Sequence, residues 1–132
     1  MSESEIQRKI EGRFVTDVVG FSTLMAQNEE LTLRSFRSCK EILDNLFEEH
    51  SGRIFNTAGD SVLAEFPSAV SAVICAVEFQ KLIKARNASV PNAAQMQLRI
   101  GLNMGDFIIE VTNLCGDGVN VAARLEALSQ AG

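Results

Sequence analysis

The alternation of hydrophobic and polar positions divides the chain into strands and helices. Arg13 to Val19 is a β-rich run closed by Gly20, which predicts a first strand. From Glu29 to Glu49 apolar residues recur at helical spacing with Glu or Lys between them, which predicts an amphipathic helix that Gly52 ends. The apolar stripe of this helix is formed by Leu33, Phe36, Leu43 and Phe47.

Two strands and a second helix follow. Arg53 to Thr57 and Ser61 to Phe66 are predicted strands, and the tight turn Ala58-Gly59-Asp60 joins them into a hairpin. Pro67 breaks the second strand and starts a helix over Ser68 to Lys84. The residues expected on its inner face are Ala69, Ala72, Val73, Ala76 and Ile83.

The last third of the chain predicts a loop, two strands and a helix. Arg86 to Gln95 is polar and contains a proline, which is typical of a loop. Apolar residues then alternate with polar ones in a half-buried strand, and Gly105-Asp106 turns the chain into a strand from Phe107 to Thr112. After Gly118 a last helix is predicted to run to about Ser129. The strand's apolar residues are Met96, Leu98, Ile100 and Leu102, and the helix stripe is Val121, Leu125 and Leu128.

The element order β-α-ββ-α-ββ-α predicts an α+β fold in which helices cover one face of a mainly antiparallel sheet. With 132 residues the chain is long enough for one compact domain. The net charge of −5 argues against a nucleic-acid partner, because a groove that follows phosphates needs a basic surplus. An acidic chain can still bind a nucleotide through Mg²⁺.

The sequence shows no secretory signal or membrane span, and its cysteines and histidine do not point to a reaction. The N-terminus lacks the basic-then-apolar order of a secretory signal, and the apolar stretch from Ala69 to Phe79 is too short for a bilayer, so no membrane contact and a cytoplasmic location are expected. The three cysteines, Cys39, Cys75 and Cys115, are expected to be small buried thiols. His50 is expected to have a structural role at a helix end.

Two aspartates stand out by position. Asp17 lies at the end of the first strand and Asp60 in the hairpin turn. A strand end and a neighbouring turn can lie side by side in an antiparallel sheet, and paired carboxylates suit one or two Mg²⁺ ions. Asp is also common in turns, because its side chain caps local backbone. The pattern alone therefore leaves both interpretations open.

Two further patterns are weak when taken alone. Gly20, Phe21 and Ser22 open a helical segment after the first strand, where backbone N–H groups can bind a phosphate. Asn120 and Arg124 are four residues apart and project from one side of the predicted last helix. Arg suits a transferring phosphoryl group and Asn a sugar oxygen. Without further context, a solvated helix face with Arg124 paired to a nearby acid is the favoured interpretation.

Four stretches in order resemble the class III nucleotidyl cyclase catalytic domain: FVTDVVGFSTLM, GDSVLAEFPSAVSAVICAVEFQ, RIGLNMGD and GDGVNVAARLEAL. The resemblance covers nearly the whole chain from Arg13 onward. It implies a ferredoxin-like, palm-like βαββαβ core that works as a head-to-tail homodimer. A run similar to the GGDEF motif of the diguanylate cyclases is absent from the sequence. Residues 1–12 are then an N-terminal extension, and residues 13–132 the catalytic domain.

The resemblance also implies roles for individual residues. Asp17 and Asp60 match the metal-binding aspartates, with the Val18 carbonyl as a further ligand. Gly20, Phe21 and Ser22 match the loop around the triphosphate. Asn120 and Arg124, supplied by the partner subunit, match the residues that orient the ribose and stabilise the transition state. The implied reaction uses Mg²⁺ or Mn²⁺ and converts ATP, or alternatively GTP, to the cyclic nucleotide and pyrophosphate.

Three departures from the family pattern are visible. Asn56 stands where adenylate-forming members have a base-reading lysine, and Asn113 stands where they have its acidic partner. Weak or altered base selectivity is therefore expected, because amides both donate and accept. The chain also stops before the strands and the phosphate-binding lysine that normally complete the domain. A non-catalytic dimerisation or nucleotide-sensing module is accordingly the alternative function.

Overall fold

The computed structural model describes residues 12–113 and 118–125. Within these residues one six-stranded antiparallel sheet has the order β2-β3-β1-β4-β5-β6. The strands are β1 (Gly12–Val18), β2 (Arg53–Ala58), β3 (Ser61–Phe66), β4 (Leu98–Met104), β5 (Phe107–Thr112) and β6 (Asn120–Leu125). The helices are α1 (Phe21–Gln27), α2 (Glu29–Glu49) and α3 (Ala69–Ala88), with a short 3₁₀ turn at Asn92–Ala94.

The core lies between the sheet and its helices. Side chains alternate along each strand, so every second residue of β1, β3 and β4 is buried against α2 and α3. Phe14 of β1 packs its ring against Phe47 of α2 and Phe66 of β3, with ring centroids 5.2 and 5.7 Å away. The predicted α+β class, with helices on one face of an antiparallel sheet, is confirmed. The strand residues buried on this side are Phe14, Thr16, Val18, Val62, Ala64, Phe66, Leu98, Ile100, Leu102 and Val111.

The other side of the sheet carries no helix among the described residues, and we call it the open face. It presents the alternate residues of the strands, which are half-buried or exposed. Its central members are Val15, Asp17, Arg99, Gly101, Glu110, Thr112 and Asn120.

Most element bounds agree with the pattern of the sequence, and two helices differ in packing or length. Leu43 and Phe47 of α2 are buried as predicted, whereas Leu33 and Phe36 are only half-buried. Helix α3 continues to Ala88, beyond the predicted end. Arg86 explains the extra turn, because its guanidinium donates to Ser38 Oγ over 3.2 Å and to the Ala94 carbonyl over 3.0 Å.

The predicted last helix is wrong over residues 120–125, which form strand β6 instead. The apolar residues of this segment fit a period of two as well as a helical period, because Val121, Ala123 and Leu125 alternate with Asn120, Ala122 and Arg124. Pairing with β5 satisfies backbone groups along an edge that would otherwise stay open. The remainder of the predicted helix lies outside the described residues.

The described helices include none that combines the length and the apolar character needed to cross a bilayer.

Candidate functional site

Most of the candidate residues meet at one end of the sheet. Strand β1 ends there with Asp17 and Val18, and the β2–β3 turn brings Asp60 to the same end. Strand β5 also ends there, and β6 begins there with Asn120. Strands β1 and β3 are antiparallel neighbours, so the end of β1 lies beside the start of β3. The β2–β3 turn immediately precedes β3 and therefore lies at the same end of the sheet.

The carboxylate of Asp60 is anchored to β1. Its Oδ2 accepts a hydrogen bond of 2.8 Å from the backbone N–H of Val18, the residue after Asp17. The turn that presents Asp60 is tight, because Gly59 has a φ of 59°, in the left-handed region that suits glycine. The second aspartate is thus held at the end of the strand that carries the first.

Asp17 faces a cation on the neighbouring strand. Arg99 of β4 is its cross-strand partner, and the Nε of Arg99 donates to Asp17 Oδ1 over 3.1 Å. The Asp17 side chain is 37% exposed and the Arg99 side chain 60% exposed, so solvent reaches both groups. The ion pair therefore orients Asp17 more than it stabilises the fold.

A shallow depression of about 400 Å³ lies on the open face beside Asp17. Gly101 lies at its centre, paired with Val15 on one side and Glu110 on the other. A Cβ added to Gly101 would find no atom within 4 Å, so the missing side chain leaves space. The lining residues are Val15, Asp17, Arg99, Ile100, Gly101, Glu110 and Thr112.

Gly20, Phe21 and Ser22 form the junction between β1 and α1. Gly20 has a φ of 67°, and its carbonyl accepts from Leu24 N–H over 3.0 Å. No side chain caps the first turn of α1, so its leading N–H groups have no side-chain partner among the described residues. This local geometry suits an anion, and the phosphate-binding role stays a prediction.

Asn120 and Arg124 lie on the open face but at different levels. Asn120 pairs with Thr112 at the end that carries Asp17, whereas Arg124 pairs with Ile108 four residues along β6. The rise of a strand puts these two positions about 13 Å apart. Arg124 forms an exposed ion pair with Glu110, with an N–O distance of 3.5 Å. The structure does not bring Arg124 to the aspartates of its own chain.

Asn56 and Asn113 are also kept apart. Asn56 lies on edge strand β2 at a register shift, exposed, while Asn113 follows β5 on the far side of three intervening strands. The Nδ2 of Asn113 donates to the Gln80 carbonyl of α3 over 3.0 Å. Gln80 in turn donates from Nε2 to the carbonyls of Leu98 and Val111, over 2.7 and 2.9 Å. Asn113 is thereby tied to the helix layer.

Sequence reasoning missed three residues of this region. Arg99, Gly101 and Glu110 all face the depression, but the sequence pattern predicted only the strands that carry them and gave these three residues no role. The sequence did contain a signal for Arg99, because it is a charged residue between two apolar residues of a predicted strand. Which strand it faces depends on register, which the local pattern does not give.

The donor set at the strand ends fits Mg²⁺ or Mn²⁺. Asp17 and Asp60 offer carboxylate oxygens and Val18 a carbonyl oxygen, the hard ligands that these ions prefer. Asp60 uses one oxygen for the Val18 N–H and keeps the other. Arg99 shares Asp17, so ion binding and the Arg99 pair compete for one carboxylate.

Comparison with known proteins identifies the family. Residues 12–132 match the Adenylate and Guanylate cyclase catalytic domain, and the chain belongs to this family. The chain is 43% identical over 133 residues to a protein of Rhizobium meliloti (strain 1021) named "Putative adenylate cyclase 3", of which it spans 23%.

Solved structures show the same fold. An adenylate/guanylate cyclase/hydrolase from Silicibacter pomeroyi is 30% identical with a TM-score of 0.63, covering 84% of this chain and 62% of that one. A bacterial light-regulated adenylyl cyclase is 18% identical with a TM-score of 0.66, covering 92% of this chain and 37% of that one, and supports the fold alone. The chain therefore spans less than two thirds of each of these proteins.

Proposed function

We propose that this chain is the catalytic domain of a Mg²⁺-dependent nucleotide cyclase that acts as a cytoplasmic homodimer in signalling. Its substrate is ATP, with GTP as the alternative, and Mn²⁺ can replace Mg²⁺. The hydrogen bond from Val18 N–H to Asp60 carries the proposal, because it puts the second aspartate of the family pattern beside the first. Membership of the cyclase family supports the reaction class.

The residues at the strand ends would act on the triphosphate. Asp17, Asp60 and the Val18 carbonyl would hold the metal ions, which when bound acidify the ribose 3′-hydroxyl and neutralise the leaving phosphates. The N–H groups after Gly20 would bind the phosphates at the start of α1. A bond forms between the 3′-oxygen and the α-phosphorus as the hydroxyl proton passes to solvent, while the bond to the pyrophosphate leaving group breaks.

The partner subunit would complete the site. Arg124 lies on the open face at the end of the sheet away from Asp17, which supports a role toward a neighbouring chain rather than its own. Its planar, permanently charged guanidinium suits charge that grows on the α-phosphoryl oxygens. Asn120 would orient the ribose, and Asn56 and Asn113 would contact the base.

A complementation assay tests the shared site. Asp60→Asn and Arg124→Ala chains should each lose activity by at least about 100-fold, since each removes a charge from the reacting centre. Mixing them should restore about a quarter of wild-type activity, because half of the dimers then hold one intact site. Asp106→Asn, in the equivalent glycine turn at the other end of the sheet, is the matched control and should stay active.

Two outcomes would contradict different parts of the proposal. If the wild-type chain forms no cyclic product from ATP or GTP with Mg²⁺ or Mn²⁺, the cyclase activity is refuted. If it is active but the mixed variants dimerise without recovery, the site does not use Arg124 from the partner.

A nucleotide-sensing or dimerisation module without turnover is the second candidate. The engagement of the Asn113 amide by Gln80 favours it, because a base must then compete with an existing hydrogen bond. A chain that makes no product, yet melts at higher temperature with ATP and Mn²⁺, would support this candidate.

A further inference from the structure

Three side chains of the types that ligate metal ions meet on the helix layer, away from the open face. Glu49 ends α2, His50 follows it as the C-cap, and Glu78 lies in the middle of α3. One donor atom of each lies within 4.8 Å of the others. The Nε2 of His50 and Oε2 of Glu78 are 3.1 Å apart.

The backbone holds the imidazole in a defined place. His50 N–H donates to the Leu46 carbonyl over 2.9 Å, and Gly52 N–H donates to the Phe47 carbonyl over 2.7 Å. Ser51 between them has a φ of 62°, so α2 ends in the left-handed turn that satisfies its last carbonyls. Only 19% of the His50 side chain is exposed, and its position is therefore set by both helices.

Negative charge is concentrated at this point. Two carboxylates converge on one imidazole, and the C-terminus of α2 adds its own partial negative charge. The buried Cys75 thiol senses these groups: burial first, then the charges of Glu78 and Glu49, raises its pKa to about 12. Cys75 is not among the side chains whose donor atoms lie within 4.8 Å of one another, so the available donors are one imidazole and two carboxylates.

We propose that Glu49, His50 and Glu78 bind a divalent transition-metal ion of the Zn²⁺ class that joins the end of α2 to α3. Ligands bound tetrahedrally at about 2.0–2.1 Å lie roughly 3.3 Å from each other, which is close to the spacing of His50 and Glu78. Glu49 is exposed, so its carboxylate can turn the remaining distance. The imidazole nitrogen favours Zn²⁺ over Mg²⁺, so this site differs in chemistry from the aspartate site.

Zn²⁺ titration of the whole chain tests the proposal. Tag-free protein is needed, since His50 is the only histidine, and Cys115→Ser removes a thiol that lies outside the described residues. Adding Asp17→Asn and Asp60→Asn removes the carboxylates of the other site. Calorimetry with Zn²⁺ gives the stoichiometry, and visible absorption of Co²⁺ reports whether nitrogen and oxygen ligands surround the ion.

The expected result is one Zn²⁺ per chain, with an accompanying rise in melting temperature. His50→Asn and Glu78→Gln should each weaken binding by at least about tenfold. Glu49→Gln should also weaken it, whereas Glu48→Gln, the same charge change one residue earlier, should not. Glu78 is partly exposed, so its variant separates loss of a ligand from loss of the fold.

Unchanged affinity in His50→Asn would overturn the proposal. Absence of Zn²⁺ binding at 100-fold excess over protein would overturn it as well. In both cases the cluster is a histidine–carboxylate contact between two helices and no more.

Discussion

Arg99 and Asp17 are cross-strand partners on the open face, joined by a 3.1 Å contact from Nε to Oδ1. The Arg99 guanidinium is thus ion-paired with a carboxylate that we propose as a metal ligand. A bound divalent ion would repel this fixed positive charge, so Arg99 must move from Asp17 or be balanced by the phosphates of a substrate. If the proposed site binds both ligands, this arrangement would couple metal binding to nucleotide binding.

Arg99→Gln should raise the affinity for Mn²⁺ several-fold when no nucleotide is present, because it frees Asp17 Oδ1 and removes a nearby charge. The free energy of unfolding should change by less than about 1 kcal/mol, since both side chains are solvent-accessible. Calorimetric Mn²⁺ titration measures the first effect. Arg53→Gln is the matched control, because it breaks the exposed pair with Glu65 on β3. Equal Mn²⁺ affinities in Arg99→Gln and wild type would show that the pair does not compete with the ion.

Asp60→Asn should weaken Mn²⁺ binding by at least about tenfold, since it removes a charged ligand. The asparagine carbonyl can still accept from Val18 N–H, so the hairpin should keep its place and stability should change little. Comparing Mn²⁺ affinity and melting temperature in one preparation separates these effects. A large loss of stability with no loss of Mn²⁺ affinity would mean that Asp60 is structural.

Gln80→Leu should destabilise the domain by about 2–4 kcal/mol, because it leaves the buried carbonyls of Leu98 and Val111 without their donor. Gln80 is fully buried, and its Oε1 has no partner among the described residues, so this amide already carries a cost. Urea unfolding measures the change. Gln27→Leu on exposed α1 is the control and should have little effect.

Stability should fall in alkaline solution through Cys75. Its pKa is raised to about 12, mainly by burial, so the folded state keeps a proton that the unfolded chain loses above its ordinary value of 9.0. The contribution of the Cys75 thiol to the free energy of unfolding is full below pH 9. It declines as pH rises toward 12, by at most about 1.4 kcal/mol per pH unit. The chain has no tyrosine to titrate in the same range. The stability difference between wild type and Cys75→Ala should therefore shrink from pH 9 upward, and a constant difference would contradict this prediction.

The local periodicity of apolar residues was sufficient to predict most of the helices and strands. Helix α2 and strand β3 have the predicted bounds, because each combines a clear apolar period with a turn or cap at both ends. Strand β5 also has the predicted bounds, and the Gly105-Asp106 turn marks its start. Strand β6 was not predicted, since Val121 and Leu125 fit a helix and a strand equally well. The strand forms because β5 offers an edge with which this segment can pair, and such pairing is a tertiary effect that the local sequence does not show.

For the candidate site as well, local features could be predicted from the sequence and tertiary contacts could not. The approach of Asp60 to β1 could be predicted, because a hairpin turn and a strand end are local features joined by simple topology. The Arg99–Asp17 pair could not, since it depends on which residues of β1 and β4 face each other. The engagement of Asn113 by Gln80 was equally hidden, because it needs the position of α3 over the sheet.

The bare backbone at Gly101 makes the depression on the open face adjustable. Alanine, valine and leucine there would project into solvent-filled space, so each should reduce its volume stepwise and leave the helix layer undisturbed. Affinity measured along such a series would report how closely a ligand approaches the middle of β4. Tight binding that survives leucine would locate the ligand elsewhere on the domain.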